Sequence, residues 1–272
     1  MRQVNHDQFA AALKTWRKQR RLSQLNLASE AQISTRHLSF LETGRSKPSR
    51  DMVLHLADCL DVPLRDRNSL LVAGGFAPVY AEHNFNDDQS AGIRAAVEQI
   101  LSAHEPYPAL AMDRHWNMVA SNRIVPMLLA DVDPELLRAP VNLLRLSLHP
   151  GGLARRVVNF TEWRDHLLDR LRRQIDVTAD ATLRGLYDEA SHYRMPNNGA
   201  DSTIDQDTDG GALSGLVVPL VLQTDWGIMR FISTTTVFGT PVEVSLSELA
   251  IETLLPADGP TGSALHQLVA GI

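Results

Sequence analysis

Residues 22–50 read LSQLNLASEAQISTRHLSFLETGRSKPSR. Leu22, Leu25, Leu27, Ala28, Ala31, Ile33, Leu38 and Leu41 recur at spacings that let two short helices pack against each other. Ser23 and Ser34 stand where each helix begins, and each hydroxyl can accept from an orphan backbone N–H. Gly44 follows the second run, where a helix end favours a left-handed residue. A basic loop with Pro48 comes next. The pattern is that of a helix-turn-helix, whose second helix enters the DNA major groove.

These segments also carry a family resemblance. LSQLNLA, ISTRHLSFLETG and the Pro48 loop resemble the repressor-type helix-turn-helix of the XRE superfamily, over roughly residues 6–73. The resemblance implies that Gln24 opens the first helix of the motif and approaches DNA, and that Thr35, Arg36, Ser39 and Phe40 occupy exposed recognition positions. Ser34 and His37 lie on the same short stretch and join the candidate set. Arg36 has the fork geometry for guanine. Phe40 departs from the family, which often has a polar residue there. A phenyl ring either contacts a thymine methyl or packs away from DNA. Arg45, Lys47 and Arg50 follow the recognition helix and are expected to meet phosphate.

Charge is distributed unevenly. Residues 1–73 hold 12 Lys+Arg against 7 Asp+Glu, a net of +5, and the rest holds 14 against 25, a net of −11, giving the −6 of the whole chain. The asymmetry, not the total, bears on nucleic-acid binding. Taken alone, Lys14, Arg17, Lys18, Arg20 and Arg21 fit a solvated helix face equally well.

At 272 residues the chain has room for two cores. No apolar run approaches a membrane span, and Phe9–Leu13 is too short for a signal peptide. The single cysteine, Cys59, excludes an intrachain disulfide and sits in an amphipathic helical run, where core packing suits it better than chemistry. A cytoplasmic protein is expected.

Periodicity predicts helices over 7–20, 49–60 (capped by Ser49) and 64–73 (ended by Gly74-Gly75), completing a five-helix repressor-like domain. Residues 74–88 read as a linker, and Asp88 or Ser90 can cap a helix running to about Ala103. From Pro106 the texture changes. PALAMDRHWNMVASN reads as two strands around Asp113-Arg114-His115. Helices follow over 123–130, 142–148, 161–175 and 179–191, then a polar loop at 197–212. LVVPLVLQ and WGIMRFISTTTVFG form a hairpin turning at Thr224-Asp225. A helical turn at 245–248 and a strand at 249–255 close the pattern. Two strands, helices, then three strands is the order of a PAS-like sensor, an antiparallel sheet with helices on one face. The expected architecture is multidomain, α plus α+β: residues 1–75 a helix-turn-helix domain, 76–105 a linker and connecting helix, 106–272 a PAS-like domain.

NLLRLSLHPGGLARRVVNFTEW, HLLDRLRRQ, RFISTTTVFGTPVEVSLSELAIETLLPAD and WNMVASN resemble the ligand-binding domain of MmyB-like transcription regulators, over roughly residues 106–258. That family pairs the domain with an N-terminal XRE helix-turn-helix. The resemblance implies a PAS-like fold around a mainly apolar pocket and a hydrophobic small molecule, fatty acids foremost. Trp116, Met127, Leu146, Trp163, Leu167, Met229 and Phe231, with Met118, are candidate pocket residues, though each suits a closed core as well. Asn122 and Asn142 are either helix caps or polar anchors for a head group. Arg230 alternates with Met229 and Phe231 on its strand; turned inward it is a candidate partner for a carboxylate, and exposure is the expectation.

Other chemistries find no support. Asp205-x-Asp207-x-Asp209-Gly210 opens like a calcium loop, but its twelfth position is Leu216, not the closing carboxylate. The histidines show no zinc spacing. No G-x-S-x-G, G-x-G-x-x-G or Walker loop is present. No catalytic residue, metal or cofactor is expected. The reading is a DNA-binding transcriptional regulator, a homodimer on a pseudo-palindromic duplex, with an apolar effector and no membrane partner. The alternative is a regulator whose C-terminal domain is a ligand-free dimerisation or protein-interaction module.

Overall fold

A computed structural model describes residues 2–85, 87–194, 217–239 and 241–270, with no account of the side chains of residues 2–6. The 197–212 loop and the 205–216 acidic motif lie outside the described residues. The chain divides into two compact units: Met1–His83 with Asp176–Thr178 and Thr240–Ser247, and Asn84–Ile175 with Ala179–Gly239 and Glu248–Ile272.

The first unit opens with the helices α1 (Arg2–Gln19), α2 (Gln24–Glu30), α3 (Thr35–Glu42), α4 (Arg50–Cys59) and α5 (Leu64–Ala73). The helix starts are built as serine chemistry requires. Ser23, Ser34 and Ser49 each accept from the backbone N–H three residues on, at 3.0, 3.1 and 3.1 Å. Gly44 takes φ 70° after α3, and Gly75 takes φ 85° after α5. Phe9, Leu13, Leu27, Leu38, Leu41, Leu56 and Leu71 form the buried core, and Cys59 packs at its edge. Two expectations are corrected. Helix α1 starts at Arg2, five residues before the periodic run. Leu25 is 66% exposed, because α2 turns only Leu27 and Ala28 into the core.

A buried ion pair ties α1 to α3. Arg17 Nε and Nη2 donate to the two oxygens of Glu42 at 2.5 and 2.9 Å, and Arg17 Nη1 donates to the Leu22 carbonyl at 2.7 Å. Gln24 Nε2 donates to the same carboxylate at 2.7 Å. Burial pushes the Glu42 carboxyl up, but the hydrogen bonds from Arg17 and Gln24 outweigh it and hold it below the usual range.

The second unit is built around one antiparallel sheet. After a 3-10 turn at Asp88–Ser90 come α6 (Ala91–Ala103), β1 (Ala109–Met112), β2 (Met118–Ser121), α7 (Val125–Leu128), α8 (Leu143–Leu148), α9 (Phe160–Thr178), α10 (Ala181–Ser191), β3 (Leu220–Thr224) and β4 (Gly227–Val237). The turn α11 (Val244–Ser247), which falls in the first unit, precedes β5 (Ala250–Pro256) and α12 (Gly259–Ala270). The strand order is β2-β1-β5-β4-β3, every pair antiparallel. This is the expected antiparallel sheet with helices.

Side-chain alternation separates two faces. Leu110 pairs with Glu252 in register, and Ala111 with Ile251. Ala109, Ala111, Ile251 and Thr253 are all buried on the face opposite Leu110 and Glu252. Helix α6 packs along β1 and β2.

Other local differences have plain causes. The β3–β4 turn is Asp225-Trp226, not Thr224-Asp225, because Thr224 pairs with Gly227 at φ 98°. Ser90 precedes α6 but does not cap it; its hydroxyl donates to the Asn84 carbonyl at 2.7 Å. Arg230 is half-buried, with its guanidinium 3.4 Å from Asp258. Helix α12 lies beyond the last expected element, the strand at 249–255. Pro260 falls in the first turn, where its missing N–H costs nothing, and Asp258 accepts from Thr261 N at 2.8 Å.

Glu42→Ala is expected to destabilise the helical unit by about 3–5 kcal/mol, because it leaves Arg17 buried without a counter-ion. Replacing both partners with apolar residues recovers most of that loss. The folded carboxyl lies below its unfolded value of 4.5, so its stabilisation is present above that pH and is lost as pH falls through the lower folded value. Denaturant titrations across that window check both outcomes.

Candidate functional site

Two sites are built on these frames. The first is the outer face of α3 and the loop after it. Thr35, Arg36, Arg45, Lys47 and Arg50 are exposed, while His37, Ser39 and Phe40 are half-buried. The Arg36 guanidinium lies 5.3 Å from the centre of the Phe40 ring. Phe40 therefore supports Arg36 on the next turn of the same helix. The Ser34 hydroxyl is occupied as the helix cap. Gln24 is half-buried, with its amide nitrogen committed to Glu42.

The second is a cavity of about 80 Å³ inside the sheet unit, several times the roughly 10–15 Å³ that admits one water. Pro108 just before β1, Leu110 of β1, Leu220 of β3, and Glu252 and Leu254 of β5 form its sheet wall. Helix α7 contributes Val125 and Leu128, with Leu129 just beyond it. Helix α8 contributes Leu143, Leu146 and Ser147, and α9 contributes Trp163 and Leu167, with Leu153 between the two helices. Trp116 closes it from the β1–β2 turn.

Trp116 is held with care. It takes φ 66°, an uncommon backbone state for a bulky residue. The Asp113 carboxylate accepts from the N–H groups of His115 and Asn117, fixing the turn on both sides. The Trp116 indole donates to Gln174 Oε1 at 2.8 Å, and the Arg170 guanidinium sits 4.7 Å from its ring. Arg170 also bonds Glu252 at 2.9 Å, and Glu252 accepts from Ser233 at 2.8 Å.

Of the pocket candidates, Trp116, Leu146, Trp163 and Leu167 line the cavity. The others do not. Met229 and Phe231 are 1% and 0% exposed within the solid core, and Met127 packs against that core. Asn122 is a structural clamp: its oxygen accepts from Ala109 N and Ile124 N, and its nitrogen donates to the Leu101 and Tyr107 carbonyls. Asn142 caps α8 through Arg145 N and donates to His115 O and Asn117 Oδ1. Neither has a polar atom to spare. Sequence reading missed most of the leucine wall and also Glu252, whose one signal is a lone charge inside the strand IETLLP.

The described residues contain no cluster of three His, Cys, Asp or Glu suited to a metal, and no helix long and apolar enough to cross a membrane. A capped two-helix motif on one unit and an internal apolar cavity in the other define a DNA-binding protein with a sensor domain. The helix-turn-helix domain model matches residues 8–70, and that of the MmyB-like transcription regulator ligand binding domain matches residues 93–268, well over half of the chain. The chain belongs to the MmyB-like transcription regulator family and is a ligand-responsive regulator with a DNA-binding helix-turn-helix. No curated protein matches it. Both matched families are regulator domains rather than enzymes.

The cavity wall has a checkable constraint at Gly152. A Cβ there would lie 2.3 Å from the carbonyl oxygen of Leu146, on the helix that supplies three lining residues. Gly152→Ala is expected to push α8 aside and cost about 1–3 kcal/mol. Gly185→Ala, on α10 with open space around it, is expected to be neutral or stabilising by about 1 kcal/mol. Paired thermal melts test the contrast.

Proposed function

We propose that residues 1–75 form the DNA-binding head, 76–105 the connection, and 106–272 the sensor for a fatty-acid-like apolar effector that changes operator affinity. The cavity carries this reading. It is enclosed largely by leucine and tryptophan side chains, with few polar groups, as a site for an acyl chain should be. Its presence weighs against a ligand-free dimerisation module, for which a closed core would serve better.

The chain leaves β4, contributes 241–247 to the helical unit, and returns as β5, which carries Glu252 and Leu254 of the cavity wall. Within that segment the Glu243 carboxylate accepts from His83 N at 3.1 Å and from Leu246 N at 2.8 Å. This covalent route is our candidate for carrying a change at the cavity to the head.

On DNA, Thr35, Arg36, Ser39 and Phe40 face the major groove, with His37, Ser34 and Gln24 beside them. Arg36, stacked on Phe40, reads guanine. Arg45, Lys47 and Arg50 hold phosphate. A homodimer in the cytoplasm places two heads on a pseudo-palindrome, with half-sites roughly 34 Å apart or a multiple of that.

Arg36→Ala is expected to cost about 1–3 kcal/mol and relax preference at one base pair, whereas Lys47→Ala weakens all sequences alike and lowers the salt slope by roughly one. Selection from random DNA and salt titrations separate the two; unchanged specificity in Arg36→Ala removes it from the reading set. For the effector, a panel of medium- and long-chain fatty acids and related apolar metabolites is tested on the full-length protein by thermal shift. A compound at a hundredfold excess over its Kd adds about 2.7 kcal/mol to stability, a rise on the order of 5–10 °C. No shift with any compound contradicts the reading.

A further inference from the structure

The wall of the cavity offers little to recognise a polar head group. Both Glu252 oxygens are taken, accepting from Arg170 at 2.9 Å and from Ser233 at 2.8 Å. The Trp116 indole donates to Gln174, and the Trp163 indole nitrogen is buried without accessible surface. Among the described residues no Lys, Arg or His lines the cavity. The remaining polar side chain on the wall is Ser147. A hydroxyl donates as well as accepts, so it discriminates little between an acid, an alcohol and an amide. One hydroxyl does not replace the hydration of an ionised head, so drawing a carboxylate fully inside is costly.

Size sets a second limit. One water needs roughly 10–15 Å³ of such a void, so about 80 Å³ admits about five to eight water-sized groups, and a methylene is of similar size. The cavity is partly open, so the rest of a longer molecule has a way out.

We infer that the cavity reads the tail of its effector and not the head: it takes about five to eight terminal carbons of an apolar chain and leaves the polar group at its opening. This rests on the reading of the cavity as the effector site. It narrows the effector class by chain length and widens it by head chemistry. Wall leucines such as Leu143 and Leu146 of α8 then act as the length gauge.

The test is calorimetry on the full-length protein with straight-chain carboxylates from butanoate to dodecanoate, and with octanoate, 1-octanol and octanamide. Each added methylene is expected to tighten binding about fourfold until the cavity is full, at roughly six to nine carbons including the carboxyl, and by less than about twofold thereafter. The three eight-carbon compounds are expected to agree within about threefold. Leu143→Ala enlarges the cavity and should move the plateau to chains about two or three carbons longer, whereas a merely structural effect weakens all lengths alike. Leu146→Ala repeats the test from a second wall position. Affinity that climbs by a constant factor through dodecanoate overturns the inference while leaving the effector site standing. So does a wider spread among the eight-carbon compounds, or a plateau that stays in place in a folded leucine variant. Binding of none of the compounds overturns the effector site itself and the inference with it. Should both variants fail to fold, the two series on the unsubstituted protein still decide.

Discussion

The carboxylate of Glu42, buried in the last turn of the recognition helix and held by Arg17 and Gln24, fixes how that helix is presented. Leucine packing holds α3 to the domain but is non-directional; it tolerates small rotations of a short helix. A two-pronged guanidinium–carboxylate contact tolerates far less. It ties α1 to α3, and the Gln24 amide adds the start of α2 to the same point. All three helices that set the outer face thus converge on one charge. Buried ion pairs add little net stability over apolar replacements, so the sharper role of this one is geometric. The outward positions of Thr35, Arg36 and Phe40 follow from it.

The sheet unit obeys the opposite logic. Its core is well filled around Phe231, Leu144 and Leu171, yet a void of about 80 Å³ remains under β1 and β5. A cavity of that size costs on the order of 2 kcal/mol relative to a filled one. The unit also keeps the Trp163 donor unpaired and Trp116 in a left-handed backbone state. All three costs fall in or beside the cavity, and a molecule bound there would offset the first. Local strain and unsatisfied groups gather at functional sites for this reason.

Much of this was legible in the chain because local signals agreed with the global fold. Serine caps at Ser23, Ser34 and Ser49 set the helix starts, and the strict apolar stripe of α9 placed Trp163, Leu167 and Leu171 inward. Where the reading failed, the deciding quantity was not local. Leu25 has the spacing of a core residue, but α2 turns only Leu27 and Ala28 inward. Asp258 caps α12 through Thr261, a contact that outweighs the glycines around it. Asn122 and Asn142 look alike whether they bind a ligand or backbone; only their partners distinguish them. Pocket wall and core are made of the same kinds of side chain, so Met229 and Phe231 could not be told from Leu146 and Leu167 until the void was located.

The central claim is that occupancy of the cavity and occupancy of DNA are linked. Linkage is reciprocal: an effector that changes operator affinity by some factor must have its own affinity changed by the same factor when operator is bound. The direct measurement is a pair of titrations on the full-length protein, operator binding with and without saturating effector, and effector binding with and without saturating operator. Equal factors, both different from one, are the expected result. A factor of one in both titrations, with the effector demonstrably bound, would contradict it.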